Sequence, residues 1–379
     1  MAKAYDVAVL GVGGMGSAAA FHMARRGLSV IAVEQFESGH DRGSSHGLSR
    51  IIRLAYFEHP SYVPLLRRAF TLWRELEEES GEAVLHVTGA IDAGPPGSRV
   101  VEGSLESCRV HGLPHDLLDG AELNERFPGF RLPDEYRAVF QPDGGFLEPE
   151  RCIRAHVRLA RGLGATVREG VRVRSWRQEH GGVAVELDDD VIRARQIVVC
   201  AGAWMSQLVP SLAPLLRPER QVVGWFETAQ HGLFDPVRFP VFVLTTGDGI
   251  FYGFPESGVP GFKIGKYHHR AEAVDPDAVR RSVDEKDEAV LRDCIRACFP
   301  AANGRLLKAS TCIFTNTPDE HFIVDRLPEA PEAIVVSACS GHGFKFCSVI
   351  GEIVADLVTE GSTRHDLSLF RLDRFSTLK

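Results

Sequence analysis

Three groups of residues have the types and spacing to do chemistry. Gly11, Gly13 and Gly16 stand in GxGxxG spacing, with Glu34 downstream. Arg50 and Arg53 stand three apart, just after a Gly43-Ser44-Ser45-His46-Gly47 loop. Lys345 ends a Ser340-Gly341-His342-Gly343-Phe344-Lys345 run. In the first group, Gly11 permits a tight turn, Gly13 lets backbone approach a pyrophosphate, and Gly16 lets a helix pack close to a strand. Glu34 can accept hydrogen bonds from ribose hydroxyls. A Gly/Ser loop directly after a nucleotide-binding strand can lie across a cofactor. The two arginines share one face if their segment is helical. Lys345 can pair with a cofactor carbonyl or a substrate carboxylate.

These residues need elements to position them. An apolar run over 7–10 reads as a buried parallel strand, 18–24 as a helix closed by Gly27, and 28–33 as a second strand ending at Glu34. That is one βαβ unit, whose helix N-terminus aims N–H groups at phosphates. The unit alone does not separate FAD from NAD, since both present adenosine diphosphate. The chain reads as returning to this sheet twice. A strand over 192–200 ends in Ala201-Gly202-Ala203, where small residues let a cofactor approach. A strand over 333–337 leads through Gly341 and Gly343 into a helix over 348–359. Three glycine-flanked strand ends then meet at the carboxyl edge of one sheet, where open α/β sheets bind ligands.

The intervening segments add further elements to this domain and build a second one. An amphipathic helix over 61–79 carries Tyr62, Leu66, Ala69, Trp73 and Leu76 on one stripe. A strand over 86–93, a helix over 100–111 and a turn-rich stretch follow. A helix over 148–164 precedes strands over 166–175 and 182–187. Segments 221–228, 241–245, 250–254 and 262–268 alternate like antiparallel strands, with a Gly247-Asp248-Gly249 hairpin turn. The expected architecture is α/β: a Rossmann-like domain with an added β-meander, plus a domain with a mostly antiparallel sheet. The boundaries fall at 1–84, 146–215 and 322–379 for the first domain, and at 85–145 and 216–321 for the second.

Composition narrows the class. The 379 residues suffice for two cores, and a formal charge of −8 argues against a nucleic-acid partner. No apolar run approaches a membrane span of ~20 residues. The opening MAKAYD leads straight into the first strand, leaving no room for a signal peptide. The eight cysteines include no C-x-x-C pair, and seven of them read as reduced thiols of a cytoplasmic protein. His268-His269 lack the carboxylate spacing of a metal site, so none is expected.

Five stretches taken in order resemble the family of monomeric sarcosine oxidase, N-methyltryptophan oxidase and pipecolate oxidase. They are GVGGMGSAAA, GSSHGLSRIIR, FYGFPE, CIFTNTPDEHFIVD and SGHGFKF, and the likeness spans nearly the whole chain. The resemblance implies a D-amino-acid-oxidase fold and FAD bound through a cysteine thioether, here at Cys312. It implies that Arg53 and Lys345 hold a substrate carboxylate, with the planar arginine fork pairing bidentately. Arg50 and the preceding loop, with Ser44 and Ser45, would lie against the flavin ring. Tyr252 would line the substrate cavity.

The sequence departs from the family pattern twice. The family's oxygen-activating lysine stands four residues before a histidine, but Ile264 holds that place relative to His268. Lys266 shares the strand face of His268 by period two, and Lys263 does so only across a bulge. Lys266 is therefore the expected flavin-side cation, with His268 beside it in the catalytic set. Phe314, two residues after Cys312, replaces a tyrosine of sarcosine oxidases.

The reaction this implies is oxidation of a secondary amino acid, N-methylated or cyclic. A hydride equivalent passes to the flavin, the imine hydrolyses, and oxygen yields hydrogen peroxide. The partners are the small amine and oxygen, and the family implies a monomer. Two other readings stand beside it: a flavin dehydrogenase passing electrons to a partner, and a non-catalytic nucleotide-binding protein.

Overall fold

The computed structural model describes residues 5–230 and 232–378, so the first four residues of the MAKAYD opening lie outside the described residues. The strand Tyr5–Leu10 lies between Val30–Val33 and Val191–Val199, parallel to both. Thr166–Arg168 extends the parallel sheet beyond Val30–Val33, and Ala330–Ser337 extends it beyond Val191–Val199. Both faces of this sheet are covered, which is why its central stretches 7–10, 30–33 and 197–199 are apolar at every position rather than alternating. Ser175–Glu179 and Gly182–Glu186 form the antiparallel meander at its margin. The reading of 166–175 as one strand is corrected to two short strands that join the sheet at different places.

The first helix, Gly14–Arg25, sits on this sheet because its inward residues are small. A Cβ at Gly16 would lie 1.9 Å from the Gly11 carbonyl oxygen, and one at Gly351 would lie 2.6 Å from the Ala18 backbone. The two glycines let the helix close on the turn beneath it and on the helix Cys347–Glu360 beside it. Val63–Ser80 buries Leu65, Leu66, Ala69, Leu72, Trp73 and Leu76, and ends at Gly81 with φ 71°. That left-handed residue is a common helix stop.

A second eight-stranded sheet runs in the order Leu306–Asn316, Arg217–Phe226, Phe262–Lys266, Gly249–Phe254, Val241–Thr246, Ala90–Gly94, Arg137–Gln141, Asp116–Asp119. Every pairing is antiparallel except Val241–Thr246 with Ala90–Gly94. One face packs Phe242, Phe251, Phe262 and Ile264 against the helix Glu285–Cys298. The opposite face carries Val243, Tyr252 and Phe254 toward a cavity. Period-two alternation thus gives the sheet a core side and a site side.

The segment expected to be one strand over 86–93 is two, Leu85–Val87 and Ala90–Gly94. Gly89, at φ 77°, turns the chain between them. Leu85–Val87 and Arg50–Ile52 flank Gly145–Leu147 in a small antiparallel sheet. The conditional helix around the arginines is also corrected, because Arg50–Ile52 is extended. Among the described residues, no helix is long and apolar enough to cross a membrane. No group of three or more His, Cys, Asp or Glu among them could hold a metal.

Candidate active site

One elongated cavity runs from the glycine turn to the site face of the second sheet. Gly11, Gly13, Glu34, Ser44, Ser45 and Gly202 line one part of it. Arg50, Arg53, Tyr252, Cys312 and Lys345 line another, with Gly341 and Gly343 between. Gly16 is not on the wall; it serves the helix packing described above.

The cradle is built for a dinucleotide. Glu34 Oε2 accepts the Val12 N–H at 2.8 Å, and Oε1 accepts the Phe36 N–H at 3.0 Å. Each carboxylate oxygen has a second lone pair for a ribose hydroxyl. A Cβ at Gly11 would lie 2.6 Å from the Cys200 carbonyl oxygen, so the protein itself fills that side. A Cβ at Gly13 would meet only Ser45 Oγ, at 3.9 Å, so space is left over that peptide. The donor set and the opening fit FAD.

The loop after Glu34 joins this cradle to the cysteine strand. The Gly14 N–H donates to Ser45 Oγ at 3.3 Å, and Ser44 Oγ donates to the Ile313 carbonyl at 2.5 Å. Arg50 Nη2 donates to the Ser44 carbonyl at 2.7 Å. Burial pushes the Cys312 thiol pKa up, while Arg50, Lys263 and Arg281 pull it back down. Those cations oppose the effect of burial and favour the thiolate.

Arg53 is almost wholly enclosed. Its Nε donates to Asp92 Oδ1 at 3.2 Å and its Nη2 to Glu58 Oε2 at 3.1 Å. Its guanidinium carbon lies 4.7 Å from the Tyr56 ring centre and 4.8 Å from that of Phe57. Burial opposes its charge, but Asp92 and Glu58 hold its pKa above the usual guanidinium value. Nη1 is buried and has no partner. The expected bidentate fork is narrowed: Nε and Nη2 already serve protein carboxylates, and Nη1 is the one guanidinium nitrogen without a partner.

Lys345 follows the glycine turn in the short helix Phe344–Phe346. Its Nζ donates to the His342 carbonyl at 2.7 Å and lies 5.2 Å from the Tyr56 ring centre. Burial, then Arg53, lowers its pKa to about 7. Trp73 Nε1 donates to the Lys345 carbonyl at 2.9 Å, so the helix Val63–Ser80 helps fix this lysine. Tyr56 OH meets His342 Nδ1 at 2.5 Å, while His342 Nε2 meets the Glu320 carbonyl at 3.0 Å. Because that carbonyl can only accept, Nε2 carries the proton and Tyr56 donates to Nδ1.

The structure does not bring Lys266 or His268 to this cavity. The strand ends at Lys266, and His268 follows in a turn with φ 54°, so period two does not link their side chains. Lys266 lies on the core-side register of Phe262 and Ile264, and its Nζ approaches the Phe251 ring at 5.8 Å. His268 Nδ1 and Nε2 each lie 3.0 Å from a carboxylate, of Glu219 and Glu320 respectively. Those two hydrogen bonds raise its pKa to about 9.

Lys263 takes the opposite strand face, paired with Phe254. Its Nζ donates to the Gly47 carbonyl at 2.6 Å, to Ser49 Oγ at 2.8 Å and to the Ser49 carbonyl at 3.1 Å. Tyr267 also lines the cavity, with its ring centre 5.4 Å from that of Tyr252. Asp92 and Tyr267 were not singled out from sequence. A lone acid inside the apolar strand Ala90–Gly94 is the signal that marks Asp92; Tyr267 offered none.

The FAD dependent oxidoreductase family, DAO, matches residues 6–357. The chain belongs to this family. It is an FAD-dependent oxidoreductase of the D-amino-acid-oxidase fold, which sets aside the non-catalytic reading. It is 40% identical over 380 aligned residues to a monomeric sarcosine oxidase of Bacillus sp. (strain NS-129), covering 99% of this chain and 98% of that one. It is 36% identical to the N-methyl-L-tryptophan oxidase of Citrobacter koseri, covering 98% and 99%. Among solved structures of this fold, NikD, an amino acid oxidase of nikkomycin biosynthesis, superposes with a TM-score of 0.84. The two share 26% identity over 97% of each chain.

Proposed function

We propose that this enzyme oxidises N-methyl or cyclic secondary amino acids, with FAD held in the glycine cradle and tethered through Cys312. The observation that carries the reading is the cavity itself. It brings the dinucleotide cradle, the Cys312 thiol, the unpartnered Arg53 Nη1 and the Lys345 ammonium onto one continuous wall. Bound FAD supplies the two-electron acceptor. The chain supplies the rest. Arg53 Nη1 and Lys345 Nζ take the substrate carboxylate. Tyr252, Tyr267, Phe254 and Val243 wall off the amine end. An apolar wall disfavours an ammonium ion there, so the substrate nitrogen is held in its neutral, reactive form. Lys263, when it carries its proton, supplies the positive charge that favours oxygen reduction. Like the monomeric sarcosine oxidases it resembles, the enzyme acts as a monomer in this reading.

The test is anaerobic mixing of holoenzyme with N-methyl and cyclic amino acids while following flavin absorbance. Bleaching by at least one of them is expected, and no bleaching by any would overturn the reading. The tether is tested separately. Yellow colour should stay with acid-precipitated wild type and leave with the acid supernatant of Cys312→Ala.

The dehydrogenase reading is favoured by one observation: burial drives the Lys263 pKa far below the usual lysine value. A neutral amine offers developing negative charge on oxygen little stabilisation. Peroxide formed per imine decides between them, with about one for the oxidase and near zero for the dehydrogenase.

A further inference from the structure

We infer that Asp92 is a specificity-determining positioning residue, which aims the Arg53 guanidinium and moderates its charge so that the site's grip on a substrate carboxylate is restrained. This rests on the proposed carboxylate-binding role of Arg53 and Lys345. Asp92 lies on the strand Ala90–Gly94, between the fully buried Ile91 and Ala93, and is itself 2% exposed. A carboxylate at such a position is costly unless it is paired. It has two partners, Arg53 Nε at 3.2 Å and Ser104 Oγ at 2.5 Å. Ser104 comes from the helix Arg99–His111, so Asp92 is held from one side and holds Arg53 from the other.

The arrangement has two consequences. The Nε edge is fixed on Asp92, Nη2 on Glu58, and the Tyr56 and Phe57 rings pack against the group, which leaves Nη1 as the unpartnered nitrogen for substrate. In addition, two carboxylates already lie against one guanidinium before any substrate arrives. An incoming carboxylate meets their repulsion as well as the arginine's attraction. Asp92 therefore weakens the site's preference for a full negative charge over a neutral polar group. A residue that merely supported the fold would have the opposite effect on removal: the anchor would loosen and carboxylates would bind less well.

The experiment uses FAD-loaded wild type, Asp92→Asn and Asp92→Val, titrated with propionate and propionamide and followed by the change in flavin absorption. Asn keeps the acceptor for Arg53 Nε without the charge, and Val replaces the carboxylate with an apolar group of similar size. Propionate should bind roughly tenfold or more tightly in Asp92→Asn, the effect of removing one nearby charge from a poorly screened site, and should gain less in Asp92→Val, which loses the aim as well as the charge. Propionamide should change little. The kcat/KM ratio of an N-methyl amino acid to its amide should rise in parallel. Unchanged or weaker propionate binding in Asp92→Asn overturns the proposal, as does an equal gain in Asp92→Val, which would leave no aiming role, or failure of both to take up FAD, which would assign Asp92 to the fold. If wild type binds no propionate and no N-methyl amino acid bleaches it, the functional reading falls as well. If wild type passes both checks and only the variants fail, the inference about Asp92 falls alone.

Discussion

Ser44 Oγ donates to the main-chain carbonyl of Ile313, the residue next to Cys312, at 2.5 Å. This bond links two parts of the chain far apart in sequence. The loop also touches the glycine turn through Ser45 and Arg50 through the Ser44 carbonyl. A short polar loop thus bridges the cradle and the strand that carries Cys312, the proposed flavin anchor.

Ser44→Ala should therefore slow covalent flavin incorporation more than it lowers stability. Loss of one partly buried hydrogen bond costs about 1 kcal/mol. The expected outcome is an unfolding midpoint shifted by a few degrees at most, with a several-fold slower gain of acid-stable flavin when apoprotein is mixed with FAD. Equal incorporation rates would separate the loop from the tethering geometry.

Much of this arrangement is legible in the sequence because it is local. The glycine turn, its flanking apolar strands and the two later strand-to-glycine returns each declare themselves within about thirty residues, and the sheet edge then gathers them. Arg53, Cys312 and Lys345 all line the cavity. What the sequence hid is the angle at which each cation is held. Arg53 looks like a free fork until Asp92 and Glu58 appear against it, and Asp92 comes from a strand of the other sheet. The lysine register was misread for a similar reason. Counting by twos from His268 assumes the strand continues that far, but it stops at Lys266 and the chain enters a turn.

The two lysines can be told apart in solution. Lys263→Met should leave anaerobic flavin bleaching within about threefold of wild type and slow reoxidation by oxygen by a hundredfold or more, the scale of removing a preorganised charge from a reacting centre. Lys266→Met should change neither rate appreciably, because its ammonium approaches Phe251 on the core side. Stopped-flow measurement of the two half-reactions is the check. A slow oxygen step in Lys266→Met alone would restore the original register.

Trp73 connects packing to function. It is fully buried on the helix Val63–Ser80 and donates to the Lys345 carbonyl. Trp73→Ala should lose about 3–5 kcal/mol of stability from the cavity it leaves. Trp73→Phe fills most of that space but cannot donate, leaving the Lys345 carbonyl without this partner. It should cost less, roughly 1–3 kcal/mol, and should raise the KM for substrate more than it lowers kcat, since the lysine it steadies serves binding. Chemical denaturation and steady-state kinetics on the same preparations test both parts.

Lys345 makes carboxylate binding depend on pH in a defined direction. Burial and the neighbouring Arg53 bring its pKa from the ordinary lysine value to about 7. Below that pH the amine carries its proton and attracts an anion; above it the empty site holds a neutral amine. A carboxylate must then bring a proton with it, so affinity falls as pH rises, by up to about tenfold per unit, until the raised pKa of the complex is passed. Propionate has no titrating amine of its own in this range, which keeps substrate protonation out of the measurement. Its Kd, read from flavin absorption, should be flat below about pH 6 and rise between about pH 7 and 9. Lys345→Met should bind propionate more weakly at pH 6 and show little slope above it. A wild-type Kd that stays level across this range would mean that Lys345 keeps its charge throughout, held by Glu58 and Asp92 more strongly than burial opposes it.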